Sequence, residues 1–559
     1  MDKTNIRKFI PVFFAIFLTF TYIIKIHFGL HADEVLSIAI GDMVANNNHL
    51  ISENWSTLQF TGLFLYPFVR IFQLFSSSND GIILYFRYLF ILIQIIVSLY
   101  TYFTIKRAFS KNKAILISFA SFLFFYNWTT LNYKAFLYWF SWLCILSIMN
   151  YLAEYKLRYI LLSAVSLSAC VLSYPGAIVL FVPCCLALFK LDLTGRKKSI
   201  AAFCCTCITC AIITIFPIIA DCGFSNFFNG IHQMIAADRY QEGIFHKLLR
   251  VSLPILALIV TITCFLLLIN RCLKHFNKSI TMDSIITILG ILGFITLCVV
   301  RIQTITPSRV WYCFLLIFSS LPFFLHSEKM HDKNEKTNMI QYLFLYPSLF
   351  MILAINISSN QGIAIASYGC IIGLYGILLL QRKKSPLTLL IMGLFLFTFL
   401  YFVPDHNPAN STLFTPREKI CSGPAKGIYV TLDVKEVHDE VCSITNTYVS
   451  SNDRLLILGT NNHNSLGYIN SDAEYATYSP FDVSPCTEKL IDFYTMNPHL
   501  LPSVILIDKK EPTSFDEWSS SNVGTYLLSQ TEYDDQESGN YIILQSRVVR
   551  KTASLSFLN

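Results

Sequence analysis

The stretch Gly29-Leu30-His31-Ala32-Asp33-Glu34-Val35-Leu36 sets two adjacent carboxylates and an imidazole just past an apolar run, Phe9 to Ile26, that is long enough to cross a bilayer. A carboxylate placed there can accept the proton of an attacking hydroxyl, and a second one beside it can tune its charge or hold an ion. Charged acids at that depth are costly unless they line a watered, functional cavity. The plain structural alternative is a helix start, with Asp33 as the N-cap and Glu34 in the first turn. Basic residues on the same side are few under the topology set out below: Arg70, Lys134, Arg239, Lys247, Arg250, Arg301 and Arg309. Arg239 belongs to a loop that also holds His232, Asp238, Glu242 and His246, and Arg301 and Arg309 bracket the next loop on that side. Guanidinium groups so placed suit a phosphate. A snorkelling or headgroup-contacting role is the alternative for each. Arg87 lies inside an apolar run and reads as structural, paired with a loop acid or a main-chain carbonyl.

The elements that must position these residues are membrane spans. Of 559 residues, 54% are hydrophobic, 15% aromatic and only 14% charged, and apolar runs of spanning length recur up to about residue 403. The fold class expected is therefore mainly α, a polytopic membrane protein. The formal charge of +7 is explained by loop lysines and arginines that orient helices, not by nucleic-acid binding. Of the 17 cysteines, 14 lie between Cys144 and Cys370, mostly inside apolar runs where they act as small hydrophobes. Cys204, Cys205, Cys207 and Cys210 have no flanking His or acid and do not read as a metal site.

Lys3, Arg7 and Lys8 place the N-terminus in the cytoplasm, so Asp33 and Glu34 emerge outside. Phe9–Ile26 lacks a small-residue cleavage site and reads as the first anchor. If Leu58–Phe75 spanned, the next run would end outside among Lys106, Arg107, Lys111 and Lys113, against the positive-inside rule. Val35–Asn46 and Leu58–Phe75 are thus expected as helices lying on or dipping into the outer face, within a first outer loop of residues 28–80. Gly81–Ile105 is the second span. The remaining apolar runs bring the count to about 13, with every basic cluster on one side. The chain divides into a transmembrane domain, 1–403, and an extracytoplasmic soluble domain, 404–559. In the latter, Gly427–Leu432, Arg454–Gly459, Ser503–Asp508 and Tyr541–Gln545 read as strands, and Val437–Thr447 and Cys486–Met496 as helices, an α/β pattern. Gly423-Pro424-Ala425-Lys426-Gly427 is a turn signal and not a phosphate loop. A Cys421–Cys442 bridge is open on spacing alone.

An acidic pair after the first span, two amphipathic helices in the first outer loop, 13 spans and an outer C-terminal domain together resemble the GT-C class of membrane glycosyltransferases. More closely, the chain is similar to bacterial members of the protein O-mannosyltransferase and aminoarabinose transferase superfamily. The matching pieces are His31-Ala32-Asp33-Glu34, Leu63-Phe64-Leu65-Tyr66-Pro67, Arg87, and Asn132-Tyr133. The likeness covers roughly residues 1–400 in layout and the first hundred or so in motif. It implies a sugar carried on a polyprenyl phosphate and moved with inversion to a cell-envelope acceptor outside a bacterial plasma membrane. Asp33 matches the family's catalytic acid position and is expected as general base. Glu34 is the second catalytic candidate, tuning the field or holding an ion, and His31 beside it is a substrate-binding candidate. Arg239, Arg301 and Arg309 are the other substrate-binding candidates, at least one of them expected to meet the donor phosphate. The cofactor stays open, with Mg²⁺ or Mn²⁺ as the candidate; no metal ligands are assigned. The chain departs from its relatives in two places. The loop Asn127-Trp128-Thr129-Thr130-Leu131-Asn132 lacks the acid often found after the third span, and Ser52 to Gln59 offers only Glu53 where some relatives carry a base. The alternative function is a transporter or flippase of lipid-linked sugars, against which stands the lack of internal repeats or matched broken helices.

Overall fold

Long apolar segments without water must close their main-chain hydrogen bonds within themselves, and here they do so as helices. The computed structural model describes residues 16–46, 48–123, 130–236, 311–317, 319–320, 335–358, 363–381, 385–403, 405, 412–459, 464–481, 483–510 and 514–547, with single positions 249, 260, 268, 271 and 291. The described helices of the first part are α1 (Ile16–Ile26), α2 (Ala32–Ala45), α3 (Gly62–Phe75), α4 (Ile82–Ala108), α5 (Lys111–Leu123), α6 (Tyr133–Glu154) and α7 (Leu157–Ser173). They continue with α8 (Phe181–Leu191), α9 (Arg196–Cys222), α10 (Phe224–Ala236), α11 (Glu335–Ile355), α12 (Ile363–Leu380) and α13 (Pro386–Tyr401). By length and composition, α4, α6, α9 and α11 are long and apolar enough to cross a membrane. Of the expected spans, Leu249–Ile269 and Ile285–Val300 lie outside the described residues apart from single positions, as does part of Val310–Leu325, so the described helices do not by themselves amount to thirteen spans.

The 27 residues of α4 separate two chemically different ends, about 40 Å apart. Near its start lies Arg87, and near its finish Arg107, which pairs with Glu154 at 2.7 Å while Glu154 also meets Lys156 at 2.7 Å. Lys113 donates to the Leu379 carbonyl at the same end. Basic loops thus gather at one end of the bundle.

At the other end α2 and α3 cross closely. A Cβ on Gly41 would stand 2.7 Å from Leu65 Cβ, and one on Gly62 2.7 Å from Val44 Cγ2, so only glycines permit this approach. The second of these helices leaves Tyr66, Ile71, Leu74 and Phe75 exposed. In the first, Asp33 and Val44 are the two positions that are not buried, because α3 and the C-terminal region cover the face that sequence alone would assign to lipid.

That region begins with the short pair β1 (Glu418–Lys419) and β2 (Tyr429–Val430), followed by α14 (Leu432–Tyr448). Then come β3 (Arg454–Leu458), α15 (Asn464–Ser471), β4 (Glu474–Tyr475), α16 (Lys489–Met496) and β5 (Val504–Asp508). The last described elements are α17 (Phe515–Ser519), α18 (Asn522–Gln530), β6 (Tyr533–Ser538) and β7 (Tyr541–Ser546). Five strands form one sheet in the order β4-β3-β5-β7-β6, parallel across β4, β3 and β5 and antiparallel across β5, β7 and β6. Every residue of β5 is buried, which is why Val504-Ile505-Leu506-Ile507 reads as a continuous apolar run. No Cys421–Cys442 bridge forms. Both thiols are free, and Cys442 lies 3.6 Å from His438 Nε2, its thiol pushed up to about 12 by burial and then by Asp439 and Asp80.

Several ties hold this region to residues 28–80 and their flanks. Trp55 is buried among sheet-packing residues, stacked on Tyr478 (5.5 Å between centroids) and edge-on to Phe493 (5.3 Å). Glu53 bonds His499 Nε2 at 3.0 Å, while His49 pairs with Asp221 at the end of α9. The turn from Gly423 to Gly427, left-handed at both glycines (φ 76° and 89°), grips the membrane segments through main-chain bonds. Gly81 N donates to Gly423 O (3.0 Å), Ile83 N to Pro424 O (3.2 Å), Gly29 N to Tyr429 O (2.8 Å) and Tyr429 N to His27 O (2.6 Å).

Candidate active site

The corner between α1 and α2 is built on Arg87. Its guanidinium donates from Nε to Glu34 Oε1 (2.7 Å) and from Nη2 to Glu34 Oε2 (2.6 Å). It also donates to the carbonyls of Ile26 (2.7 Å), Phe28 (3.3 Å) and Gly29 (2.7 Å). The Glu34 and Arg87 side chains are 1% and 0% exposed. A helix end leaves carbonyls without partners, and here one buried cation satisfies them while pairing with the first turn of the next helix. Glu34 therefore holds the corner, and both of its oxygens face Arg87 and not the solvent.

His31 is the N-cap of α2: its Nδ1 accepts the Asp33 N–H at 3.1 Å, the cap position sequence had given to Asp33. Asp33 moves into the first turn, where the helix dipole favours its charge. Its side chain keeps 22% exposure. Lys134 Nζ lies 2.5 Å from Asp33 Oδ2, and the Tyr133 hydroxyl donates to the same oxygen at 3.5 Å. Both come from the first turn of α6, whose N-cap Asn132 accepts from Ala135 N at 2.8 Å. Lys134 is 8% exposed and sits 5.2 Å from the Tyr133 ring centroid. The Tyr133 ring runs parallel to Tyr174 within 9°, centroids 6.4 Å apart.

Two helix N-termini and one lysine thus converge on a partly open carboxylate at the end of the bundle where the chain leaves α1. An ammonium at a helix N-terminus opposes the dipole, so Lys134 is held there by an anion, whether Asp33 or an anionic ligand. Such a site can take a proton on Asp33 and hold negative charge at Lys134. Arg239, Arg301 and Arg309 lie outside the described residues. Among the described residues no group of three or more His, Cys, Asp or Glu is placed to hold a metal ion, and Glu34 is already committed to Arg87. The two adjacent carboxylates thus face different partners, Glu34 on Arg87 and Asp33 on Lys134. Lys134 is what motif reading passed over: it was one cation in a list, and nothing in sequence ties it to Asp33, which is 101 positions away.

No family model matches the chain, and no curated protein matches it in sequence. Among solved structures, one match is the archaeal oligosaccharyltransferase AglB from Archaeoglobus fulgidus in complex with an inhibitory peptide and a dolichol-phosphate. It has a TM-score of 0.40 and 9% identity, covering 95% of this chain and 74% of that chain. A likeness of this degree says nothing of substrate or mechanism.

Proposed function

We propose that the protein is a membrane glycosyltransferase that moves a sugar from a polyprenyl-phosphate donor to an acceptor hydroxyl on the extracytoplasmic side. The observation that carries this reading is the partly exposed Asp33, 2.5 Å from Lys134 where two helix N-termini meet at the exit from α1. The acceptor oxygen attacks the anomeric carbon and its proton passes to Asp33. The bond from that carbon to the phosphate oxygen breaks, and the electron pair leaves with the lipid phosphate. Lys134 takes the developing charge, an ammonium suited to a phosphate oxygen. One displacement inverts the anomeric configuration. Arg239, Arg301 and Arg309 are proposed as further phosphate partners. Glu34 is a positioning residue, acting through the corner it shares with Arg87.

Purified protein incubated with radiolabelled polyprenyl-phosphate sugar is expected to release lipid phosphate. Asn in place of Asp33 keeps the size and the hydrogen bonds but cannot take the proton. Asp33→Asn should cut turnover about a hundredfold or more while leaving donor binding largely intact. Full transfer by a correctly inserted Asp33→Asn protein would remove Asp33 from the chemistry. At least one of Arg239→Ala, Arg301→Ala and Arg309→Ala should weaken donor use by roughly tenfold or more, the loss of a charge-assisted bond to phosphate. Near-normal donor affinity in all three would leave Lys134 as the phosphate contact.

A further inference from the structure

We propose that Asp42 is a positioning residue through which the C-terminal sheet sets the placement of the helix that carries Asp33. The catalytic half of this inference rests on the function proposed above; the mechanical half does not. Asp42 lies nine positions after Asp33 on α2, about two and a half turns along. Its side chain is fully buried. Donors reach it from three elements. The Tyr475 hydroxyl of β4 donates to Oδ2 at 2.8 Å, Asn46 Nδ2, just past α2, to Oδ2 at 3.2 Å, and Gln73 Nε2 of α3 to Oδ1 at 3.3 Å. Tyr475 is itself fixed, stacked on Tyr468 of α15 at 4.8 Å and 13°, and paired with Leu455 in the sheet. With Gly41 pressed on Leu65, α2 cannot slide or turn without breaking these bonds.

The charges around Asp42 make the tie sensitive to pH. Burial pushes its carboxyl up to about 7, against the hydrogen bond from Tyr475. Asp472, just before β4, pushes the same way, and Arg70 of α3 opposes it. Asp472 is held in place by Asn79 Nδ2, which donates to its Oδ1 at 2.8 Å. A buried acid raised in the folded state binds its proton where the unfolded chain has already lost it. Its contribution is therefore fully present below the usual carboxylate value of 3.8, is lost progressively as pH rises toward about 7, and is level above that. Its three donors hold the charged carboxylate more strongly than the neutral acid, so protonation relieves the cost of burial and loosens the tie.

Two measurements on the full chain in detergent test this. The first needs no activity: thermal midpoints across about pH 5 to pH 8 for the native protein, Asp42→Asn and Tyr475→Phe. The native midpoint should fall more steeply with pH than that of Asp42→Asn. Equal slopes would overturn the titration of Asp42. The second is the pH profile of transfer, with kcat and donor KM resolved. A base shifted by a fraction of an ångström should lose about tenfold in kcat in Tyr475→Phe, with donor KM little changed. Asp42→Asn should lack the inflection near neutral pH that the native enzyme shows. Native kcat and profile in Tyr475→Phe would overturn the positioning role. If Asp42→Asn does not fold, Tyr475→Phe stands in for it: losing the hydroxyl that lowers the Asp42 pKa should carry the fall in midpoint to higher pH than in the native protein, and an unchanged pH dependence would overturn the titration. A native protein with no transfer activity refutes the proposed function and leaves the midpoints to judge the tie.

Discussion

Arg87 uses all five of its N–H groups: two on Glu34 and three on the carbonyls of Ile26, Phe28 and Gly29. No other side chain reproduces that fork. Lysine brings the charge but only three donors on a flexible stem, and cannot reach both sides of the corner. Removing one partner also leaves the other charge buried alone. Arg87→Met and Glu34→Gln are each expected to destabilise the protein by about 3–5 kcal/mol, and the double change to a neutral pair by less than either single. Thermal midpoints of the three variants check this. A double variant as unstable as the sum of the singles would mean that the two residues do not act as a pair.

At the scale of elements, the crossing of α2 and α3 depends on two residues without side chains. A side chain at Gly41 meets Leu65 Cβ at 2.7 Å, inside any ordinary contact, and both helices are pinned by neighbours and cannot part. Gly41→Leu should therefore cost about 1–3 kcal/mol or more and shift Asp33 with the helix. A paired loss of thermal midpoint and kcat is the expected readout, and an unchanged midpoint would show that the crossing yields easily. Apolar helices and buried strands were legible in the sequence because an apolar run needs no partner to be recognised: β3, β5 and β7 fall where Arg454–Gly459, Ser503–Asp508 and Tyr541–Gln545 put them. What escaped were pairings. Tyr533-Asp534-Asp535-Gln536-Glu537-Ser538 is polar on both faces and becomes β6 only by adding to the edge of β7. In α2, an apolar helix beside a membrane reads as lipid-facing until a layer some 400 residues later is laid over it. In the candidate site, the sequence shows that Asp33 and Glu34 follow α1 but not that Arg87, 53 positions on, takes up Glu34 alone.

For the whole molecule, the first outer loop and the C-terminal sheet are joined through Trp55, Glu53, Asn79 and Asp42, so both occupy one side of the bundle. The basic residues around Arg107 and Lys113 occupy the other end. On the positive-inside rule we propose that the sheet and Asp33 lie outside. In a chain cleared of other accessible thiols, a cysteine at position 450 should react with an impermeant maleimide in intact cells. One at position 111 should react only after permeabilisation. Labelling of position 111 from outside would invert the molecule and exclude an extracytoplasmic site.

The main-chain clasp between Tyr429 and the residues on either side of Phe28 has a consequence in time. Its halves are 400 positions apart, as in the bond between His27 and the Gly427 carbonyl. At 5–20 residues per second a ribosome takes roughly 20–80 s to make the intervening chain. Throughout that interval α1 and Asp33 are already made, yet the corner beside them has no strand to grip. Synthesis of the 400 positions between the two halves thus acts as a timer. A nascent chain stalled before residue 430 carries its acid without the clasp beside it.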